Sequence, residues 1–175
     1  MTQGIQTEAL EDAIQQAADS TWTRKDVDGL ISQFAGRVGA PGLELNEDGV
    51  AWMAVDDDIE ISLVHCAHLP GLVVAAPMPL DAIENGTVLR ALLQANMSWA
   101  KTRGGVFAMV PPANVAMLCR LIPFASLEAG ALERQVAEFV ELVQDWHAEI
   151  DAYFDSVDDG HAATAEAVTP SQLRV

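Results

Sequence analysis

Apolar positions along this chain follow two periodicities that alternate in blocks. Between Thr23 and Gly39, Val27, Leu30, Ile31 and Phe34 recur at spacings of three and four, which predicts an amphipathic helix. Thr23 is its expected N-cap, Gly39 can end it, and Pro41 prevents its continuation. Asn46-Glu47-Asp48-Gly49 is a turn signal ahead of Val50–Val55, a strand apolar on both faces and therefore expected to be covered on both sides. Asp56-Asp57-Asp58 makes a solvated turn. Ile59, Ile61 and Leu63 then alternate with Glu60 and Ser62, as a half-buried strand does. Pro70-Gly71 interrupts the chain before a third, continuously apolar strand over Leu72–Ala76, which ends at Pro77.

Helical spacing returns after Pro79. Asp81 with Glu84 reads as a capping box, and Val88, Leu89, Leu92, Leu93, Asn96 and Trp99 continue one stripe. Gly104-Gly105 resets the chain into the strand Val106–Val110. Pro111-Pro112-Ala113-Asn114 turns it into Val115–Ile122, an antiparallel hairpin partner. Ser126 is the expected cap of a long last helix with Leu132, Val136, Phe139, Val140, Val143, Trp146, Ile150 and Phe154 on its apolar face. The order is α-βββ-α-ββ-α, an α+β fold with a twisted, mainly antiparallel sheet packed by helices. Residues 23–156 form the domain. Residues 1–22 are an N-terminal extension with a weak helical stripe (Leu10, Ile14, Ala17), and residues 157–175 are expected to be a disordered acidic tail.

Composition narrows the function more than the fold. The 175 residues are 50% hydrophobic and 20% charged, so the chain is globular and long enough for one real core. Its 26 acidic against 9 basic side chains give a net charge of −17, which disfavours nucleic acid and anionic membranes. The N-terminus lacks the apolar stretch of a signal peptide, and no apolar run is long enough to span a bilayer, so a cytoplasmic location is expected. Cys66 and Cys119, both in apolar runs that read as strands, are expected to be reduced thiols.

Chemistry-bearing patterns are sparse. Neither nucleotide-binding glycine fingerprint occurs, and Gly104-Gly105 precedes a strand where a phosphate loop would precede a helix. His65-Cys66-Ala67-His68 holds metal-ligand types, but alternation turns His65 away from Cys66 and His68, and no second ligand pair of the usual spacing follows. The aspartate run lacks the alternation and central glycine of an EF-hand loop. No catalytic residue, metal or cofactor is expected. Three amphipathic helices and five apolar strands nevertheless present more apolar faces than one such sheet covers, and surplus faces become interfaces.

The pattern resembles the class I type III secretion chaperones, the CesT/Tir-chaperone family. Leu30-Ile31-Ser32-Gln33-Phe34 with Gly39-Ala40-Pro41-Gly42-Leu43 is similar to that family's first helix and its entry into the sheet. Asn46-Glu47-Asp48-Gly49-Val50 resembles its acidic-glycine turn, and Leu72–Pro79 its third strand. Leu89-Arg90-Ala91-Leu92-Leu93-Gln94-Ala95-Asn96, Gly104-Gly105-Val106-Phe107-Ala108-Met109, and Phe139 with Trp146 carry the likeness onward over about residues 24–155. The segment before Thr23, the tail after Val157 and Pro111-Pro112 at the end of the fourth strand depart from the family pattern.

The resemblance implies a cytoplasmic, non-catalytic homodimer that binds the N-terminal segment of one or more secreted effectors and keeps it soluble and export-competent. An export-apparatus ATPase is a further candidate partner. On this reading Val27, Leu30, Ile31, Phe34, Trp52 and Ile61 contact the effector, each being equally suited to a core position. Leu89, Leu93, Trp99, Phe107 and Met109 form the dimer interface. The alternatives are a non-catalytic regulatory or sensor domain of the same fold, an enzyme that depends on His65, Cys66 or His68, and an acidic mimic without an apolar groove.

Overall fold

The computed structural model describes residues 22–55, 59–79, 86–110, 115–127 and 130–158. The weak helix over 6–18, the Asp56–Asp58 turn, the Asp81/Glu84 cap, the Pro111–Asn114 turn and the tail beyond residue 158 lie outside them. Helix α1 spans Arg24–Val38, strands β1, β2 and β3 span Val50–Val55, Ile59–His65 and Gly71–Pro77, and helix α2 spans Gly86–Ala95. A one-turn helix α3 (Trp99–Thr102), strands β4 (Val106–Val110) and β5 (Val115–Pro123), a 3₁₀ turn (Phe124–Ser126) and helix α4 (Ala131–Asp158) complete the order. The sheet runs β1-β2-β3-β5-β4, and each of its pairings is antiparallel.

The local signals act as expected at most element ends. Thr23 and Asp26 form a reciprocal capping box: the Asp26 amide donates to Thr23 Oγ1 (3.3 Å) and the Thr23 amide donates to Asp26 Oδ2 (2.8 Å). The hydrogen bonds from the Thr23 side chain and then its backbone hold the Asp26 carboxyl below the ordinary aspartate value. Gly39 ends α1 in the left-handed conformation at φ 70°. Gly49, at φ 81°, lies so close to the His65 carbonyl that a Cβ would sit 2.7 Å from its oxygen, so the turn into β1 needs glycine on two counts.

Three expectations change. The second helical stripe breaks in two at Asn96-Met97-Ser98, because Asn96 is recruited by the sheet. Its amide nitrogen donates to the Phe107 carbonyl (3.0 Å), and its oxygen accepts from the Phe107 amide (2.7 Å). Ser126 does not cap α4; its hydroxyl donates to the Pro123 carbonyl within the 3₁₀ turn, and α4 opens after Gly130. Strand β1 is covered on one face only: Ala51 is 1% exposed on the inner face, whereas Trp52 is 57% exposed on the outer one.

Alternation sorts the sheet into two faces. The inner face carries Ile61, Leu63, Leu72, Val74 and Leu118, all fully buried. Helix α4 lies on it. Trp146 meets Phe107 edge-on at 4.8 Å, and the Arg120 guanidinium stacks 5.5 Å from the Phe139 ring. Arg120 donates to the Gln135 carbonyl, while burial lowers its pKa against the opposing effect of Glu138. From α1, Val27, Ile31 and Phe34 join the same core. The outer face receives no helix among the described residues.

Candidate functional site

Few polar groups converge. Among the described residues no three His, Cys, Asp or Glu side chains gather as a metal site. His65 instead packs its ring 6.2 Å from that of Phe124, and Cys66 lies just past the end of β2. Cys119 is half-buried in β5, where desolvation raises its thiol pKa. A shallow groove of about 620 Å³ runs between α1 and the segment 41–45, bounded by Arg24, Asp28 and Ser32 on one side and Pro41 and Leu43 on the other. Arg24 ties the two sides by donating to the Leu45 and Asn46 carbonyls.

What the fold does concentrate is exposed apolar surface, in two places. The first is the β1 edge, where Trp52 and Ala54 are exposed; farther in on the outer face Val64 and Val73 are half-buried, and Ser62 and Ala75 are buried. The His65 amide bonds the Gly49 carbonyl (2.8 Å), so Gly49, Ala51, Met53 and Val55 turn their backbone groups toward β2, and Val50, Trp52 and Ala54 turn theirs away. Asn46 occupies both groups of Val50: its side-chain oxygen accepts from the Val50 amide, and its own amide donates to the Val50 carbonyl. Trp52 and Ala54 are left as an outward-facing strand template, with the Trp52 indole standing over it. Inward on the outer face, one row across the sheet is Val50, Val64, Val73 and Leu121, and the next is Trp52, Ser62, Ala75, Cys119 and Val106.

The second place is α2–α3 with β4. Leu93, Met97 and Trp99 on α2–α3 and Val106 and Val110 on β4 are exposed, and Leu89 and Met109 are half-buried. The Asn96 clamp on Phe107 fixes this helix end against the strand. Lys101 and Arg103 add ties to α4, through Glu149 (3.8 Å) and Asp145 (2.7 Å).

The residues chosen from the sequence for effector contact divide. Val27, Ile31, Phe34 and Ile61 are core, each at most 2% exposed, because α1 lays its stripe on the inner face where alternation also points Ile61. Leu30 is half-buried at the rim, and Trp52 alone of the six is exposed. Of the dimer set, Leu93 and Trp99 are exposed and Leu89 and Met109 partly so, whereas Phe107 is buried against Trp146. Met97, the most exposed large apolar side chain among the described residues at 88%, follows Asn96 and falls off the helical stripe of α2, so periodicity gives no signal for it.

A five-stranded antiparallel sheet with helices on one face and apolar surface left on the other defines a class of protein-binding α+β domain. Residues 29–147 match the family described as the Tir chaperone protein (CesT) family, and the chain belongs to that family. A curated relative, the transcriptional anti-antiactivator ExsC of Pseudomonas aeruginosa, is 32% identical over 74 residues, 42% of this chain and 50% of that protein. The chain thus matches about half the length of that relative. Among solved structures, the ExsC-ExsE complex contains a chain of the same fold (TM-score 0.62, 24% identity, 71% of this chain and 92% of that one). The HopA1-SchA chaperone-effector complex contains another (TM-score 0.58, 17% identity, 69% and 91%).

Proposed function

We propose that the protein is a cytoplasmic, non-catalytic secretion chaperone that works as a homodimer and binds the N-terminal segment of one or more type III effectors. It would hold that segment soluble and export-competent. The observation that carries the proposal is the open β1 edge in a member of the Tir chaperone protein family. Trp52 and Ala54 offer outward backbone donors and acceptors, and the Trp52 indole offers an anchor beside them. An extended client segment adds to such an edge through main-chain hydrogen bonds, while alternate side chains select its register. Leu30, half-buried on α1, is the remaining member of the sequence-derived contact set that reaches the surface.

Self-association through α2–α3 and β4 is supported by the exposure of Leu93, Met97 and Trp99 on α2–α3 and of Val106 on β4. A twofold contact brings this patch against its own copy, with the aromatic as its anchor. The net charge of −17 serves as a solubility device around a bound apolar segment and attracts basic stretches within it.

Co-expression tests this reading. The chain should co-purify with the N-terminal segment of a secreted protein from the same organism, the product of a neighbouring gene being the first choice. Trp52→Asp should abolish that retention while circular dichroism and solution mass stay unchanged. Retention by the variant equal to that of the parent would sink the β1 edge as the client site.

The regulatory alternative has one specific observation in its favour, the 32% identity to ExsC, a transcriptional anti-antiactivator. On that reading the same surface sequesters a regulator of transcription. Capture of such a regulator, displaced by a secreted client, would distinguish it.

A further inference from the structure

A small pocket opens beside the β1 edge. It measures about 160 Å³ and is lined by Trp52, Met53, Ala54 and Glu60. Sheet register builds it. Ala54 lies directly opposite Glu60 and Trp52 opposite Ser62, so Trp52 and Glu60 are diagonal neighbours on the outer face. Ala54 is small and leaves a gap between the indole and the carboxylate. Trp52, Ala54 and Glu60 are all exposed.

Glu60 stands apart in charge. Among the strand residues it is the one charged side chain on the outer face. It makes no ion pair or hydrogen bond with any described residue. A carboxylate beside an indole suits one kind of ligand, a cation on an apolar stem. The charged head pairs with the carboxylate and with the ring, while the methylenes of the stem cover apolar surface. The net charge of −17 favours the approach of such a group.

Strand addition determines where that group comes from. Asn46 occupies both backbone groups of Val50, so an added segment finds its free partners at Trp52 and Ala54. The residue that pairs with Ala54 places its side chain on the same face as Ala54. Its strand lies two spacings from β2, about 10 Å away. A Lys or Arg at that position reaches across Ala54 and meets the Glu60 carboxylate partway, whereas Ser, Thr or Asn is too short.

We infer that the pocket between Trp52, Ala54 and Glu60 takes the side chain of one Lys or Arg from an extended client segment paired with β1. The pocket thereby selects clients that carry a basic residue at that position of the added strand. This specificity rests on the reading of β1 as the client edge.

The test uses the full-length chain and two synthetic peptides. One alternates Thr and Val around a single central Arg; the other has citrulline there, which keeps the shape and removes the charge. Dissociation constants are read from the shift of the Trp52 indole N–H resonance. The Arg peptide should bind at least about threefold more tightly, the scale of an exposed ion pair with a cation–π contact, and the advantage should shrink as salt is raised. Glu60→Gln should bring the Arg peptide down to the affinity of the citrulline peptide and leave the citrulline peptide unchanged. Glu60 is exposed, so the urea midpoint should not move. Equal affinity of the two peptides for the parent chain would overturn the inference and leave the β1 edge standing. Equal weakening of both peptides by Glu60→Gln would also overturn it, because the residue would then serve the strand and not the cation. No shift of the Trp52 resonance with either peptide would remove the β1 edge as a client site, and the pocket's role with it.

Discussion

Helix α1 and the α2–α3 segment both carry apolar side chains at helical spacing, yet they meet opposite surroundings. Helix α1 turns Val27, Ile31 and Phe34 onto the inner sheet face and buries them. The α2–α3 segment buries Val88 and Leu92 but leaves Leu93, Met97 and Trp99 in solvent. Position in the sheet explains the difference. Helix α1 packs with α4 over the inner face, whereas α2 packs at the β4 edge, where the sheet stops and no described element lies against the outer half of the helix. An amphipathic stripe therefore marks a side that prefers burial, and the edge of the sheet determines whether this chain can provide that burial itself.

Removing a core anchor should have the largest effect. Phe34→Ala is expected to destabilise the protein by about 3–5 kcal/mol, read from the shift in urea midpoint at unchanged slope. A loss below about 1 kcal/mol would mean that α1 does not rest on the core as described. Trp99→Ala should act on assembly instead. Light scattering on the parent should give twice the chain mass, and the variant should dissociate at concentrations at least about 30-fold higher, the scale of a hot-spot anchor. Loss of secondary structure in Trp99→Ala would contradict the contrast between the two helices.

Helix starts provide the smallest contrast. Thr23 caps α1 through its side chain, while Ser98 before α3 makes no side-chain cap bond. Thr23→Ala should cost about 1 kcal/mol, and Ser98→Ala a few tenths. The Thr23 effect should also depend on pH. The folded-state pKa of Asp26 is depressed by the Thr23 hydrogen bonds, so their contribution is present above the ordinary aspartate range and disappears as pH falls through the folded value. The gap between parent and Thr23→Ala should therefore narrow in acid, down to what the Asp26 amide bond to Thr23 Oγ1 contributes; a constant gap would show that the Asp26 carboxylate takes no part in the cap.

Much of this architecture was legible because it is written in short-range chemistry. The Thr23/Asp26 box, Gly39, the Asn46–Gly49 turn and the Pro70-Gly71 break act within a few residues, and so do the period-two and period-3.6 patterns. The site was harder to read. Ile61 and Trp52 both looked like contact residues, but antiparallel register places Ile61 on the inner face and Trp52 on the outer one. Asn96 looked like one more position in a helix. Its clamp on Phe107 depends on a strand eleven residues away, and that clamp breaks the helix and exposes Met97.

The sequence by itself determined most of the elements, their order and the family resemblance, because each follows from local patterning and composition. Only the tertiary structure decided which apolar faces are core and which remain available. Burial is set by strand order and register: β1 and β4 fall at the edges of the sheet, and side-chain alternation turns one half of every strand toward α1 and α4 and the other half away.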